Sequence, residues 1–322
     1  MRLLRNRLGM ELLSNYHVRN GSTRIRTHVN IDPTGKLTAL NGVIAAKEEC
    51  SDIVDIQIIA FPQNGIFCAP GTEELLDEAL ERDVDGIGGI PALERTEEER
   101  KQHIDTCLEL GSDHGLAIDL HVDETDDPTA RTAEYLAART IEEDLEGRVT
   151  AGHLCALAAY DENHAQRVID LLASAEIDVI SSPGTNMMLQ GRADQHPKRR
   201  GITRIDQLLE AGITIACGQD NIQHAFYQYN SRNMIETASL IAHAAHLQAP
   251  TEREEVWRMV GENAASILDI EHGMYTESVA TFNVFPPSVC TITDALRSLL
   301  PPRFVIHKGS IVSETIIKTK NN

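Results

Sequence analysis

Leu116-Ala117-Ile118-Asp119-Leu120-His121-Val122-Asp123-Glu124 reads as a β-strand that ends in chemistry. The run is mostly apolar up to Val122, the pattern of a parallel strand buried on both faces, and it then delivers an imidazole and a carboxylate. The same design recurs on either side. Arg24–Asn30, Asp55–Pro62, Gly86–Pro91, Arg148–Leu154, Asp178–Pro183 and Ile213–Gln219 read as strands, each followed by a stretch of helical length. The spacing of apolar residues predicts helices over Lys36–Glu49, Thr72–Arg82, Glu97–His114, Pro128–Leu145, Glu162–Ala175, Arg204–Ala211 and Asn233–His246. Parallel strands with helical crossovers commonly close at eight, so seven units imply an α/β fold: a (β/α)8 TIM-like barrel lacking its first strand. The gap falls at the front, where Met1–Arg19 reads as an amphipathic helix with no strand before it. A chain shortened at its N-terminus is expected, with the strands Arg24–Asn30 and Ile213–Gln219 facing each other unpaired. Such edges expose backbone donors and acceptors and invite association, including homo-oligomer formation.

The chain has 322 residues with 42% hydrophobic content, enough for one large core. Residues 1–270 are expected to form the barrel and residues 271–322 a small β appendage. In the latter, Val279–Phe285, Phe304–His307 and Ser310–Glu314 read as short strands, the last two joined by a Lys308-Gly309 turn. So few strands need partners to bury both faces, and further N-terminal strands would be the natural ones. Six cysteines without a C-x-x-C pair suggest neither a disulfide framework nor a zinc ribbon, and reduced, buried thiols are expected. A net charge of -20 excludes a nucleic-acid footprint, and Pro197-Lys198-Arg199-Arg200 is too short a basic run to reverse that. No apolar run is long enough to span a bilayer and no signal-peptide core follows Met1, so the expected location is cytoplasmic. Gly86-Ile87-Gly88-Gly89-Ile90-Pro91 lacks the last glycine of a dinucleotide fingerprint and puts proline where its helix should open.

Polar side chains sit at most strand ends: His28, Gln63, His121 with Glu124, His153 and Asp220. One such histidine alone is more often a hydrogen-bonded structural residue, but a barrel gathers all these ends into one ring. Imidazoles with a carboxylate in an open site are a divalent-metal ligand set, and a neighbouring free carboxylate can move protons.

Several segments together resemble the cytosine deaminase group of the amidohydrolase superfamily, over about Asn15 to Val312. They are Arg26-Thr27-His28-Val29, Ala60-Phe61-Pro62-Gln63-Asn64-Gly65-Ile66, His121-Val122-Asp123-Glu124, Asn186-Met187-Met188-Leu189-Gln190-Gly191-Arg192 and Pro197-Lys198-Arg199-Arg200-Gly201-Ile202-Thr203-Arg204. The resemblance implies one divalent metal ion, iron or zinc, and hydrolytic deamination of cytosine or a related cyclic amidine, a small nitrogen heterocycle. It implies that His121 and Asp220 ligate the metal and that His153 ligates it or bonds its water. Asp220 would also take a proton from the nucleophilic water, Glu124 would protonate the ring nitrogen, and Gln63 would recognise the heterocycle edge.

Two departures lie beside the implied substrate pocket. Asp220-Asn221 stands where the family often has paired aspartates, and Phe226 stands near an expected indole. They keep open a relative acting on another heterocycle, such as an N-substituted triazine. A third departure bears on the metal. The family's first strand ends in His-x-His, and no His-x-His occurs in this sequence. A weakly held or absent metal is therefore expected for this chain, and a non-catalytic barrel is the alternative of a different class.

Overall fold

The computed structural model describes residue 9, residues 14–222 and residues 227–317. Seven parallel strands form one curled sheet in strict chain order: β1 (Arg24–Asn30), β2 (Asp55–Phe61), β3 (Gly86–Gly89), β4 (Ala117–Val122), β5 (Val149–His153), β6 (Asp178–Ser181) and β7 (Ile215–Cys217). This is the expected (β/α) barrel with seven strands, among the described residues, in place of eight. Among the described residues, β1 and β7 are the edges and do not pair with each other. Because every ladder is parallel, all strand C-termini open on one rim.

Buried Ile, Val and Leu side chains from the strands pack against the inner faces of the helices. The helix Glu97–Asp113 begins with a reciprocal capping box between Thr96 and Glu99, and Asp161 caps the helix Glu162–Ser174 through His164 N. The glycine-rich third strand has a packing reason. A Cβ on Gly88 would stand 1.8 Å from the Asp119 carbonyl oxygen, and one on Gly89 would stand 2.0 Å from His103 Nε2, so neither position admits a side chain.

Three barrel strands end two residues short of expectation, among them β7, which is Ile215–Cys217 rather than Ile213–Gln219. β3 stops at Gly89 and Pro91 opens a short 3-10 turn, Pro91–Leu93, while β6 stops at Ser181 and Pro183 opens the helix Pro183–Leu189. Proline at a first helical position costs no hydrogen bond, because that N–H has no intrahelical partner. The helices Pro250–Arg258, Glu262–Ile267 and Ile292–Ser298 were not apparent in the apolar spacing. Of the expected N-terminal helix, residues 14–19 are helical and most of the remainder lies outside the described residues.

The last strands, β8 (Phe282–Val284), β9 (Phe304–His307) and β10 (Ser310–Glu314), make an antiparallel sheet in the order β10-β9-β8. This sheet pairs with itself and reaches the barrel through side chains: Arg24 Nη1 lies 3.1 Å from His307 Nδ1, and Lys308 Nζ donates to Asp55 Oδ1 at 2.6 Å. Four cysteines are buried as expected, whereas Cys68 is half-buried and Cys290 is exposed. No helix among the described residues is long and apolar enough to cross a membrane.

Candidate active site

β4 and β5 are adjacent and in register His121↔Gly152, so the side chain of His121 stands over the missing side chain of Gly152 and beside the next residue, His153. Their ring centroids are 4.4 Å apart in an edge-to-face arrangement. Glu124, two residues beyond the end of β4, turns back so that its Oε1 lies 3.6 Å from His153 Nδ1. The ligating atoms of His121, Glu124 and His153 all lie within 4.8 Å of one another. Burial, with the neighbouring His153 and His28, holds His121 well below the usual histidine range, leaving a neutral imidazole with a free lone pair. Burial also raises the Glu124 carboxyl; His153 opposes that shift and the charge of Asp220 adds to it.

Asp220 therefore lies close enough to act electrostatically on Glu124, yet its carboxylate stays outside that ligand cluster. It is exposed beyond β7 and accepts a 2.7 Å hydrogen bond from Asn221 Nδ2. Asn221 is also held at Thr185, whose Oγ1 accepts from its backbone N–H at 3.5 Å. Gln63 stands exposed on the same rim, its N–H donating to the Asn30 side chain at 3.3 Å, two residues past Phe61, whose ring lies 4.8 Å from His121. Phe226 lies outside the described residues.

Strand ends alone did not reveal the polar support beneath this group. Arg26 crosses the barrel interior from β1 to β4, where Nη1 donates to Asp119 Oδ2 at 3.0 Å. His28 Nε2 faces the other oxygen of Asp119 at 3.3 Å, and its ring lies 4.8 Å from that of His121. Burial would raise the Asp119 carboxyl, which is 1% exposed, but His28 and Arg26 hold it far below the usual carboxylate range. From the helix Pro183–Leu189, Asn186 Nδ2 donates to His153 Nδ1 at 2.9 Å. The signal in the sequence was a charged residue, Asp119, in the middle of a strand otherwise apolar on both faces.

The loop carrying Gln63 is clamped from below. Glu94, 3% exposed, accepts from the backbone N–H groups of Ile66 at 2.6 Å and Cys68 at 2.8 Å, and its Oε1 lies 2.8 Å from His103 Nδ1. Burial holds His103 below the usual histidine range, so the neutral ring donates through Nδ1. Burial would raise Glu94, but His103 and those amides outweigh it and hold the carboxyl down to about 2, from an ordinary value of 4.5. A depressed carboxylate stabilises the fold above its unfolded value, and that contribution is lost as pH falls through its folded value. At about 1.4 kcal/mol per unit, the ionised group contributes roughly 3 kcal/mol near neutral pH. Glu94→Gln is accordingly expected to lower stability by about that much at pH 7 and by much less at pH 2 to 3. Urea melts of both proteins across this range measure it, and an equal loss at both ends would contradict the assignment.

A profile of the amidohydrolase family matches residues 4–312. The N-isopropylammelide isopropyl amidohydrolase of Pseudomonas sp. (strain ADP) is 28% identical over 304 residues, covering 92% of this chain and 70% of that protein. The pterin deaminase of Rhizobium rhizogenes is 30% identical over 275 residues, covering 82% of this chain and 59% of that protein. The crystal structure of 5-methylcytosine deaminase from Klebsiella pneumoniae liganded with 5-fluorocytosine superposes with a TM-score of 0.91 at 30% identity, over 98% of this chain and 75% of that one.

Proposed function

The chain belongs to the amidohydrolase family, and from that premise we propose that its site serves hydrolytic deamination of cytosine or a related cyclic amidine. The observation that carries this reading is the meeting of His121, Glu124 and His153 at the mouth of adjacent strands. We assign His121, His153 and Asp220 to a divalent cation, iron or zinc, with Asp220 outside the cluster that the two histidines form with Glu124. A neutral, buried imidazole such as His121 suits that role. When bound, such an ion lowers the pKa of water so that hydroxide is available near neutral pH.

The chain's own residues do the rest. Asp220 accepts the proton released by the attacking water. Glu124, whose carboxyl is raised by burial, delivers a proton to the ring nitrogen beside the carbon under attack, and the proton taken up by Asp220 passes to the amine so that ammonia can leave. The amides of Gln63 and Asn221 meet the polar edge of the heterocycle, and Phe226 is assigned beside it from the sequence.

One observation favours a second substrate class. With Nδ2 tied to Asp220 and Thr185, Asn221 offers the substrate a neutral Oδ1 acceptor, and the 28% identity to an N-isopropylammelide isopropyl amidohydrolase points to N-substituted triazines as that class. The test uses this chain preceded by a strand ending in His-x-His, loaded with zinc or iron. Its kcat/KM is measured for ammonia release from cytosine, 5-methylcytosine and pterin, and for amine release from N-isopropylammelide. The first two are expected to lead; faster amine release from N-isopropylammelide would move the assignment to the triazine class.

A further inference from the structure

Glu124 would not face His153 if the chain simply continued as a strand. Successive side chains alternate, so residues 121 and 124 would point to opposite faces. They share one cavity because Asp123 adopts a left-handed conformation, with φ of 50°, and reverses the direction of the chain. Non-glycine residues rarely rest there unless their surroundings hold them.

The hold on Asp123 is specific. Its Oδ1 accepts from Thr132 N at 2.9 Å and Thr132 Oγ1 at 2.6 Å, and its own N–H donates to Thr132 Oγ1 at 3.0 Å. Its other oxygen lies 2.8 Å from the phenol of Tyr160, whose single proton it shares with the Ala130 carbonyl oxygen at 2.5 Å. Tyr160 comes from a different unit: it follows β5 on the loop that begins at His153, and it is 5% exposed. That loop makes a second connection, with Ala156 N donating to the Asp123 carbonyl at 2.9 Å. The loop is itself left-handed at His153 and Leu154, with φ of 73° and 51°. The Arg131 guanidinium over its face at 5.0 Å and the edge-on ring of His164 fix the phenol in place.

We propose that Tyr160 is a positioning residue: through Asp123 it locks the left-handed turn after β4 to the left-handed loop after β5, so that Glu124 and His153 are presented as one unit. The inference rests on the reading of Glu124 and His153 as site residues. Its physical claim, that the two turns open together, does not need a metal.

The experiment is amide hydrogen exchange on the 322-residue chain, wild type against Tyr160→Phe, with Tyr135→Phe as control. Tyr135 donates to Asp105 at 2.9 Å from the helix that Thr132 begins, so the control removes the same kind of bond away from the site. In Tyr160→Phe, residues 122–126 and 154–157 are expected to exchange about 10-fold faster, by similar factors, while the strands keep wild-type rates and the melting temperature stays close to wild type. Tyr135→Phe should leave both segments slow. Faster exchange confined to 154–160, or spread evenly through the sheet, would overturn the proposal. A Co2+ titration of the protein preceded by a strand ending in His-x-His, followed by its visible absorption, separates this inference from the metal reading. A roughly 10-fold weaker affinity in Tyr160→Phe supports both. If that longer protein takes up no Co2+ even with Tyr160 intact, the metal reading fails and the exchange data still decide the coupling.

Discussion

Dialysed against metal-free buffer, the 322-residue chain is expected to retain well below one equivalent of zinc and to release ammonia from cytosine at a rate near the uncatalysed background. Preceded by a strand ending in His-x-His, it is expected to gain both. Among the described residues the ligating cluster offers His121, Glu124 and His153, and His28, the next imidazole, faces Asp119. A strand bringing two further imidazoles would fit between β1 and β7, which are unpaired edges among the described residues. Loss of a single outer partner of a metal ligand costs about 10–100-fold in affinity or activity, so two missing inner ligands should cost more than 100-fold. Metal analysis alongside ammonia release for both proteins measures it. Stoichiometric metal with rapid turnover in the shorter chain would mean that the cluster suffices without His-x-His.

Glu124→Gln, made in the longer protein, is expected to reduce turnover about 10³-fold while metal content stays near one equivalent. A positioned proton carrier contributes typically about 10²–10⁴-fold, and glutamine keeps the shape of the side chain but cannot carry the proton. The result also decides a question raised by the geometry. Glu124 stands close enough to His121 and His153 to be a ligand itself. If Glu124→Gln strips the metal, the carboxylate belongs to the metal and the proton must travel through another group, with Asp220 next in reach of the cavity.

Much of the barrel was legible before any coordinates. Buried parallel strands leave a nearly continuous apolar run, so β1, β9 and β10 fall at their expected residues and the other barrel strands within a few positions. Two of the misplaced boundaries fall at Pro91 and Pro183, where proline ends one element by opening another. The helices Pro250–Arg258 and Glu262–Ile267 were missed because they are short and bury few side chains, which leaves little periodic signal.

For the site, the sequence alone determined which strand ends carry polar side chains, because they stand where the strand pattern calls for none. Tertiary structure alone decided which of them meet. Adjacent strands in register bring His121 to His153, the left-handed Asp123 turns Glu124 toward both, and Asp220, at the end of an unpaired edge strand, stays outside the cluster. The partnerships of Arg26, Asp119, Tyr160 and Asn186 were unreadable for the same reason. Each acts on a residue from another unit of the barrel, and contact across units depends on strand order, register and backbone reversal, which the local pattern of side chains does not encode.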